Sequence, residues 1–343
     1  MRGVFVHAPR DLRIEPVAVV PPGDRQVRVE IGAGGICGSD LHYFHHGGFG
    51  TVRLREPMAL GHEIAGTVVE TGSAVMHVRP GDKVAVNPSL ACGSCRYCGS
   101  GQRNQCLDMR FMGSAMRFPH AQGGFRQSVT VEGGQAVPLA PSMSLAEGAL
   151  AEPLAVCLHA ARQAGDLVGK AVLVTGSGPI GALCVAVARH AGAAEIVVTD
   201  VDDFPLATSR KLGATRTINV SREADTLSGY AAEKGHFDVA FEASGNALAL
   251  RSAIEAVRAG GTVVQLGLGG EMQLPLNLVV TKELQFRGSF RFDEEFAQAV
   301  ELMGSGALDV GALITDTLPF TEAESAFLRA SDRSRAMKVQ LSF

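Results

Sequence analysis

Four cysteines crowd one short stretch of the chain: Cys92, Cys95, Cys98 and Cys106, spaced C-x2-C-x2-C-x7-C. Four thiolates close a tetrahedron around zinc and leave no open position, so such a site is structural. Thiols this dense in a long chain favour a metal over disulfides. A second set of residues is scattered: Cys37, His62, Glu63 and Glu152. Cysteine, histidine and carboxylate are the ligand types of a catalytic zinc, which keeps one position for water or substrate. Their separation in sequence does not establish that they meet. Each also suits an ordinary role: Cys37 as core filler, His62 as an interior histidine, Glu152 as a charge at a helix start. Cys157 and Cys184 stand in apolar helical patterns, as buried small residues do.

A third constellation is Gly176-Ser177-Gly178-Pro179-Ile180-Gly181, which matches G-x-G-x-x-G. The motif alone is weak, but here it follows a short apolar run and opens a helical pattern. The first glycine makes the turn, the second admits a pyrophosphate to the backbone, and the third lets helix and strand pack. Asp200 ends the next apolar run, where an acid suits the ribose 2′-hydroxyl of NAD. Asp202 and Asp203 add to the repulsion of an NADP phosphate.

The elements that must position these residues come in two styles. The first 150 or so residues carry short β patterns, such as Val27–Ile31 and Gly66–Glu70, broken by Pro22-Gly23 and Pro80-Gly81-Asp82. They predict a barrel-like β domain with long loops. From about residue 153 apolar runs alternate with helical patterns. The runs are Ala171–Thr175, Ile196–Thr199, Phe237–Phe241, Gly261–Leu266 and Leu284–Arg287, and the first helix spans about Pro179 to Ala191. Such alternation predicts a parallel sheet wound by crossovers. Near residue 288 it fades.

The chain has 343 residues, 46% of them hydrophobic, which suggests two domains. Charged residues make up 19% and the net charge is −4, so there is no basic footprint for nucleic acid. No apolar run reaches the roughly 18 residues of a membrane span. The start, Met1-Arg2-Gly3-Val4-Phe5-Val6, lacks the pattern of a signal peptide. The expectation is a cytoplasmic protein.

The segments Cys37-Gly38-Ser39-Asp40-Leu41-His42 and Gly61-His62-Glu63, the four-cysteine lobe and the phosphate loop stand in a telling order. Over essentially its whole length the chain resembles the zinc-containing medium-chain alcohol and polyol dehydrogenases. Glu152-Pro153-Leu154 resembles the polyol, sorbitol-type branch. Within that branch several segments are similar to the bacterial L-idonate 5-dehydrogenases, a type that interconverts L-idonate and 5-keto-D-gluconate. They are Asn87-Pro88-Ser89, the run Asn104 to Phe111, Gly113-Ser114-Ala115-Met116, Phe118-Pro119-His120 and the run Arg287 to Phe292.

The resemblance implies a fold: a GroES-like β-barrel catalytic domain from residues 1–153 and 288–343, with a zinc lobe at 88–110. A Rossmann domain, a doubly wound parallel sheet, would occupy 154–287. It implies structural zinc on the four cysteines. A catalytic zinc would sit on Cys37 and His62, with Glu63 or Glu152 as the next ligand. Ser39 would take the alcohol proton and His42 pass it outward, unless the proton leaves through water and Glu152. Tyr43, Arg110, Glu152, Arg291 and Phe292 would meet the substrate, Arg110 or Arg291 holding a carboxylate. Leu266, Gly267, Leu268, Ser289, Phe290 and Arg291 would join Gly176, Gly178, Pro179, Ile180, Gly181 and Asp200 around the cofactor, NAD with NADP possible. The expected assembly is a homodimer or homotetramer. One departure is Phe204, which stands in a stretch where related polyol enzymes often carry an arginine against the adenine. The rival expectations are a dehydrogenase of neutral polyols, of the sorbitol, xylitol or galactitol type, and a non-catalytic nucleotide-binding protein.

Overall fold

Val172, Leu173 and Val174 are completely buried, as a strand covered on both faces requires. They lie in the strand Ala171–Thr175 of a six-stranded, all-parallel sheet in the computed structural model, which describes residues 1–343 apart from the side chain of Ala224. Across that sheet the strands run Arg216–Asn219, Glu195–Asp200, Ala171–Thr175, Phe237–Glu242, Val257–Gln265 and Gln285–Gly288. Numbered by sequence, this is the doubly wound order 3-2-1-4-5-6, whose direction of winding reverses beside Ala171–Thr175. Ligands of such sheets bind in the crevice at that reversal. The helix after the first strand, Pro179–His190, begins with proline at its first turn, where a missing N–H costs nothing.

Both chain ends build the other large sheet. Its seven strands include Gln26–Gly35, Glu63–Thr71 and Lys83–Val86 from the first part, and Ile314–Pro319 and Lys338–Ser342 from the last. Gln340 pairs with Gly35 and Glu63 also pairs with Gly35, so the C-terminal strand lies near the predicted ligands. The helix Ala151–Ala164 runs straight through the expected division at 153, and the last parallel strand ends at Gly288. Among the described residues, no helix is long and apolar enough to cross a membrane.

Candidate active site and metal centres

Cys37 caps the helix Gly38–His46 directly after the long strand Gln26–Gly35. Asp40, fully buried, accepts hydrogen bonds from the Cys37 N–H at 3.0 Å and the Gly61 N–H at 3.2 Å, which ties together the two ligand-bearing segments. Its Oδ1 also lies 3.8 Å from His62 Nδ1. A Cβ at Gly35 would meet Glu63 Oε2 at 2.2 Å, so glycine leaves that carboxylate room to stay where it is. Cys37, His62 and Glu63 offer ligand atoms that all lie within 4.8 Å of one another. Glu152 enters from the first turn of Ala151–Ala164 and is likewise buried.

This cluster fits a cation. Burial and the negative Glu63 push the Cys37 thiol up to about 12. Burial, with Glu63 and Cys37 adding to it against the pull of His62, pushes Glu152 up to about 8. A divalent ion among these donors reverses that logic and favours their deprotonated forms. His62 Nδ1 is buried and has no hydrogen-bond partner among the described residues. Lys338, not singled out from the sequence, places its Nζ 2.7 and 2.6 Å from the two Glu63 oxygens. Lys338 is almost fully buried and compensates the Glu63 charge, so that carboxylate is already held without a metal.

Cys37, Ser39, Tyr43, His62 and Glu152 line one cleft of about 780 Å³, a size that suits a small ligand with part of a cofactor. Ile180, Leu266, Gly267, Leu268, Ser289, Phe290 and Arg291 line it too. The Tyr43 hydroxyl accepts a hydrogen bond from the Ala115 N–H at 2.9 Å. Arg291 adopts a left-handed backbone, φ 57°, unusual for a side chain of this kind. Its guanidinium lies 4.4 Å over the ring of Phe111 and 4.8 Å over that of Phe290. Burial brings it down to about 10, although Glu152 and Tyr43 oppose this.

Three expected residues lie elsewhere. Arg110 is exposed and lines a separate, smaller cavity. It belongs to the strand Arg110–Phe111, where successive side chains leave opposite faces, and Phe111 is the one that enters the cleft, its ring 5.4 Å from that of His62. Phe292 is 1% exposed, packs on Phe296 and borders a different cavity, so Arg291 and Phe290 face the cleft without it. His42 does not line the cleft; its ring lies 6.0 Å from that of Phe49, which does. Burial holds its imidazole below the usual range, helped by His46 and Arg333. Arg117 is paired with Asp108 at 3.2 Å.

The four cysteines of the lobe also converge, their sulfurs within 4.8 Å of one another. The N–H groups of Ser94 and Cys95 bring the Cys92 thiol down to about 6, while burial and neighbouring thiols push Cys98 up to about 12. Four sulfurs with no oxygen or imidazole among them form the donor set of a closed zinc site.

The phosphate loop leaves Ala171–Thr175 with Gly176 at φ 87°, where a Cβ would strike Ser244 at 2.8 Å. A Cβ on Gly181 would meet the Gly176 carbonyl at 1.8 Å, whereas one on Gly178 would meet nothing. The backbone at Gly178 is thus open to a pyrophosphate. Asp200 Oδ2 accepts from the Ser177 N–H at 2.6 Å, and Oδ1 from the Val201 N–H at 2.7 Å. Asp203 meets Arg222 at 2.5 Å, which offsets its charge. Glu242 is another residue the sequence did not single out. Fully buried, it accepts from the N–H groups of Ser244 and Gly245 at 2.9 and 3.0 Å and from Gln265 Nε2 at 2.6 Å. It thereby binds the loop that touches Gly176 to the strand end that lines the cleft.

Fold and site together define a zinc-dependent, nicotinamide-linked oxidoreductase. A family model for the alcohol dehydrogenase GroES-like domain matches residues 23–141, and one for zinc-binding dehydrogenases matches 179–305. The chain is 45% identical to the L-idonate 5-dehydrogenase (NAD(P)(+)) of Escherichia coli strain K12, over 92% of this chain and 91% of that one. It is 35% identical to the sorbitol dehydrogenase of Bacillus subtilis strain 168, over 99% and 97%. The crystal structure of the Escherichia coli L-idonate 5-dehydrogenase superposes with a TM-score of 0.96 at 41% identity, covering 100% of this chain and 98% of that one. The chain belongs to the zinc-containing medium-chain dehydrogenase family, in its polyol branch. It is an NAD(P)-linked alcohol and polyol dehydrogenase whose substrate is a small polyol or sugar acid.

Proposed function

We propose that the chain interconverts L-idonate and 5-keto-D-gluconate. The carrying observation is Arg291: a half-buried guanidinium, clamped over two aromatic rings in the same cleft as Cys37, His62 and Glu152. Its one hydrogen bond among the described residues goes to Met116 Sδ at 3.2 Å, so its fork is free for a carboxylate. A sugar acid reacting at C5 carries its carboxylate at the far end from the reacting carbon. The likeness to an enzyme named for L-idonate supports the same reading. The likeness to sorbitol dehydrogenases keeps a neutral polyol as the alternative.

In this reading Cys37 and His62 hold the catalytic zinc, and Cys92, Cys95, Cys98 and Cys106 hold a structural one. Glu152 completes the open site or holds the water there, because Glu63 is already paired with Lys338. Zinc supplies a Lewis acid and the nicotinamide a hydride acceptor when both are bound. Ser39 stands in the cleft to take the hydroxyl proton, and Tyr43 and Arg291 orient the substrate. Asp200, fixed by backbone N–H groups at the end of its strand, favours NAD over NADP. A cytoplasmic location accords with four closely spaced cysteines gathered as metal ligands rather than as disulfides. A homodimer or homotetramer draws support from Gln285–Gly288, an exposed edge strand of the parallel sheet.

The test is a panel of L-idonate, sorbitol and xylitol with the unmodified enzyme and Arg291→Leu. L-Idonate should be the best substrate. The substitution should cost on the order of 2–4 kcal/mol in transition-state binding for L-idonate and less for sorbitol, since only the former leaves a charge unpaired. Preference of the unmodified enzyme for sorbitol or xylitol would sink the sugar-acid assignment.

A further inference from the structure

The strand Arg110–Phe111 divides its two side chains between two spaces: Phe111 enters the catalytic cleft, and Arg110 opens onto a cavity of about 160 Å³ on the other side. A second arginine, Arg126, lines the same cavity, together with Gln122, Thr130 and Gln135. No aspartate or glutamate is among its lining residues. The glutamines are already committed. Gln122 Oε1 accepts from the Ala59 N–H at 2.7 Å, and Gln135 Nε2 donates to the Asn87 carbonyl at 2.8 Å. Neither arginine forms an ion pair among the described residues. Arg126 donates from Nε to the Gly123 carbonyl at 2.7 Å, which fixes the guanidinium by one edge and leaves its terminal nitrogens free. Burial holds that group below its usual value.

Two cations that share a small cavity repel one another. A half-buried guanidinium such as that of Arg126 ordinarily finds an acid partner, because desolvating the charge is costly. Here the protein supplies none, while two planar forks present several N–H donors to one space. A tetrahedral oxyanion matches that arrangement in charge and in the number of acceptors. We propose that Arg110 and Arg126 form an anion site, separate from the catalytic cleft, that takes one phosphate group. The volume admits the group itself. A larger phosphomonoester would leave its organic part outside the cavity.

The test is calorimetric titration of inorganic phosphate into the zinc-loaded enzyme saturated with NADH, so that the nucleotide-binding loop is already filled. Ionic strength is held constant with chloride. The unmodified enzyme should bind one phosphate per chain with a Kd on the order of millimolar. Arg126→Gln and Arg110→Gln should each weaken that binding about 10-fold or more, as loss of charge-assisted hydrogen bonds to an ion requires. Arg110 is exposed, so its substitution keeps the test valid even if Arg126→Gln folds poorly. A parallel titration with glycerol 3-phosphate separates the sources: tighter binding than phosphate assigns the site to monoesters, equal or weaker binding to the free ion. Phosphate affinity unchanged in both variants, or no saturable heat with the unmodified enzyme, would overturn the site.

Discussion

The two ends of the helix Ala151–Ala164 hold carboxylates in opposite electrostatic states. At its start, Glu152 is buried in the cleft beside Cys37, His62 and Glu63, and burial pushes its carboxyl up to about 8. Nearer its other end, His159 Nδ1 and Arg162 reach Glu295 Oε1 at 2.9 and 3.0 Å, while the Asp293 N–H donates to Oε2 at 2.8 Å. Burial opposes ionisation there too, yet the hydrogen bonds from His159 and the backbone bring Glu295 down to about 2. One helix thus carries an acid with unmet electrostatic needs at one end and clasps a fully satisfied acid toward the other. The first arrangement costs stability and makes sense only if something else arrives. The second contributes stability and asks for nothing.

The largest effect that would break this contrast belongs to Glu152→Gln. If Glu152 serves the open metal site, kcat/KM should fall by about 10²–10⁴, the range that one acid–base group typically contributes. Stability should move the other way. In protein stripped of metal, the raised Glu152 value means that the folded state keeps a proton which the unfolded chain has released. Stability therefore declines as pH rises from the ordinary carboxylate range through about 8. The chelated variant lacks this decline, so its Tm at pH 8 should equal or exceed that of chelated unmodified protein. A variant that keeps its activity but loses Tm would reassign Glu152 to the scaffold.

Glu295→Gln should do the reverse, and less dramatically. Activity should stay within about threefold, while stability falls by on the order of 2–3 kcal/mol at neutral pH. The sign follows from the lowered value. The contribution is fully present above the ordinary 4.5 and is lost as pH falls from there toward about 2. Denaturation midpoints followed across that window should drop steeply for the unmodified protein and more gently for the variant. Parallel acid profiles would mean that Glu295 is not the clasp.

The same contrast explains how much of the site was legible in the sequence. The four-cysteine lobe and the phosphate loop are local, and their ligands or turns are specified by neighbours a few residues apart. The runs that became Ala171–Thr175 and Phe237–Glu242 were legible because strands buried on both faces must be continuously apolar. The compensating partners were not. Lys338 meets Glu63 only because the C-terminal strand pairs back onto Gln26–Gly35, and nothing near either residue announces the other. Arg110 and Phe292 failed by a single position each. Sequence similarity pointed to segments that border the cleft, but which of two adjacent side chains enters it is set by the face it leaves from. Phe111 and Arg291 face inward, and their neighbours do not.

The smallest effect tests whether the clasp on Glu295 is one interaction or several. His159→Ala removes one donor but leaves Arg162 at 3.0 Å and the Asp293 N–H at 2.8 Å from the same carboxylate. Glu295 should therefore stay ionised, and the cost should be about 0.5–1.5 kcal/mol, the net worth of one hydrogen bond. Gln163 Nε2 also lies 3.4 Å from His159 Nε2, a second, weaker tie that the substitution removes. Because His159 acts on stability through Glu295, the two substitutions should not add: Glu295→Gln with His159→Ala should be little worse than Glu295→Gln alone. Fully additive costs would show that His159 stabilises the helix by packing, and the clasp would then rest on Arg162 and the backbone. Activity supplies the last discriminator. His159 and Glu152 share a helix but not a space, so turnover should be unchanged in His159→Ala. A fall in kcat comparable to that of Glu152→Gln would mean that the two ends of the helix are coupled and that the division between them does not hold.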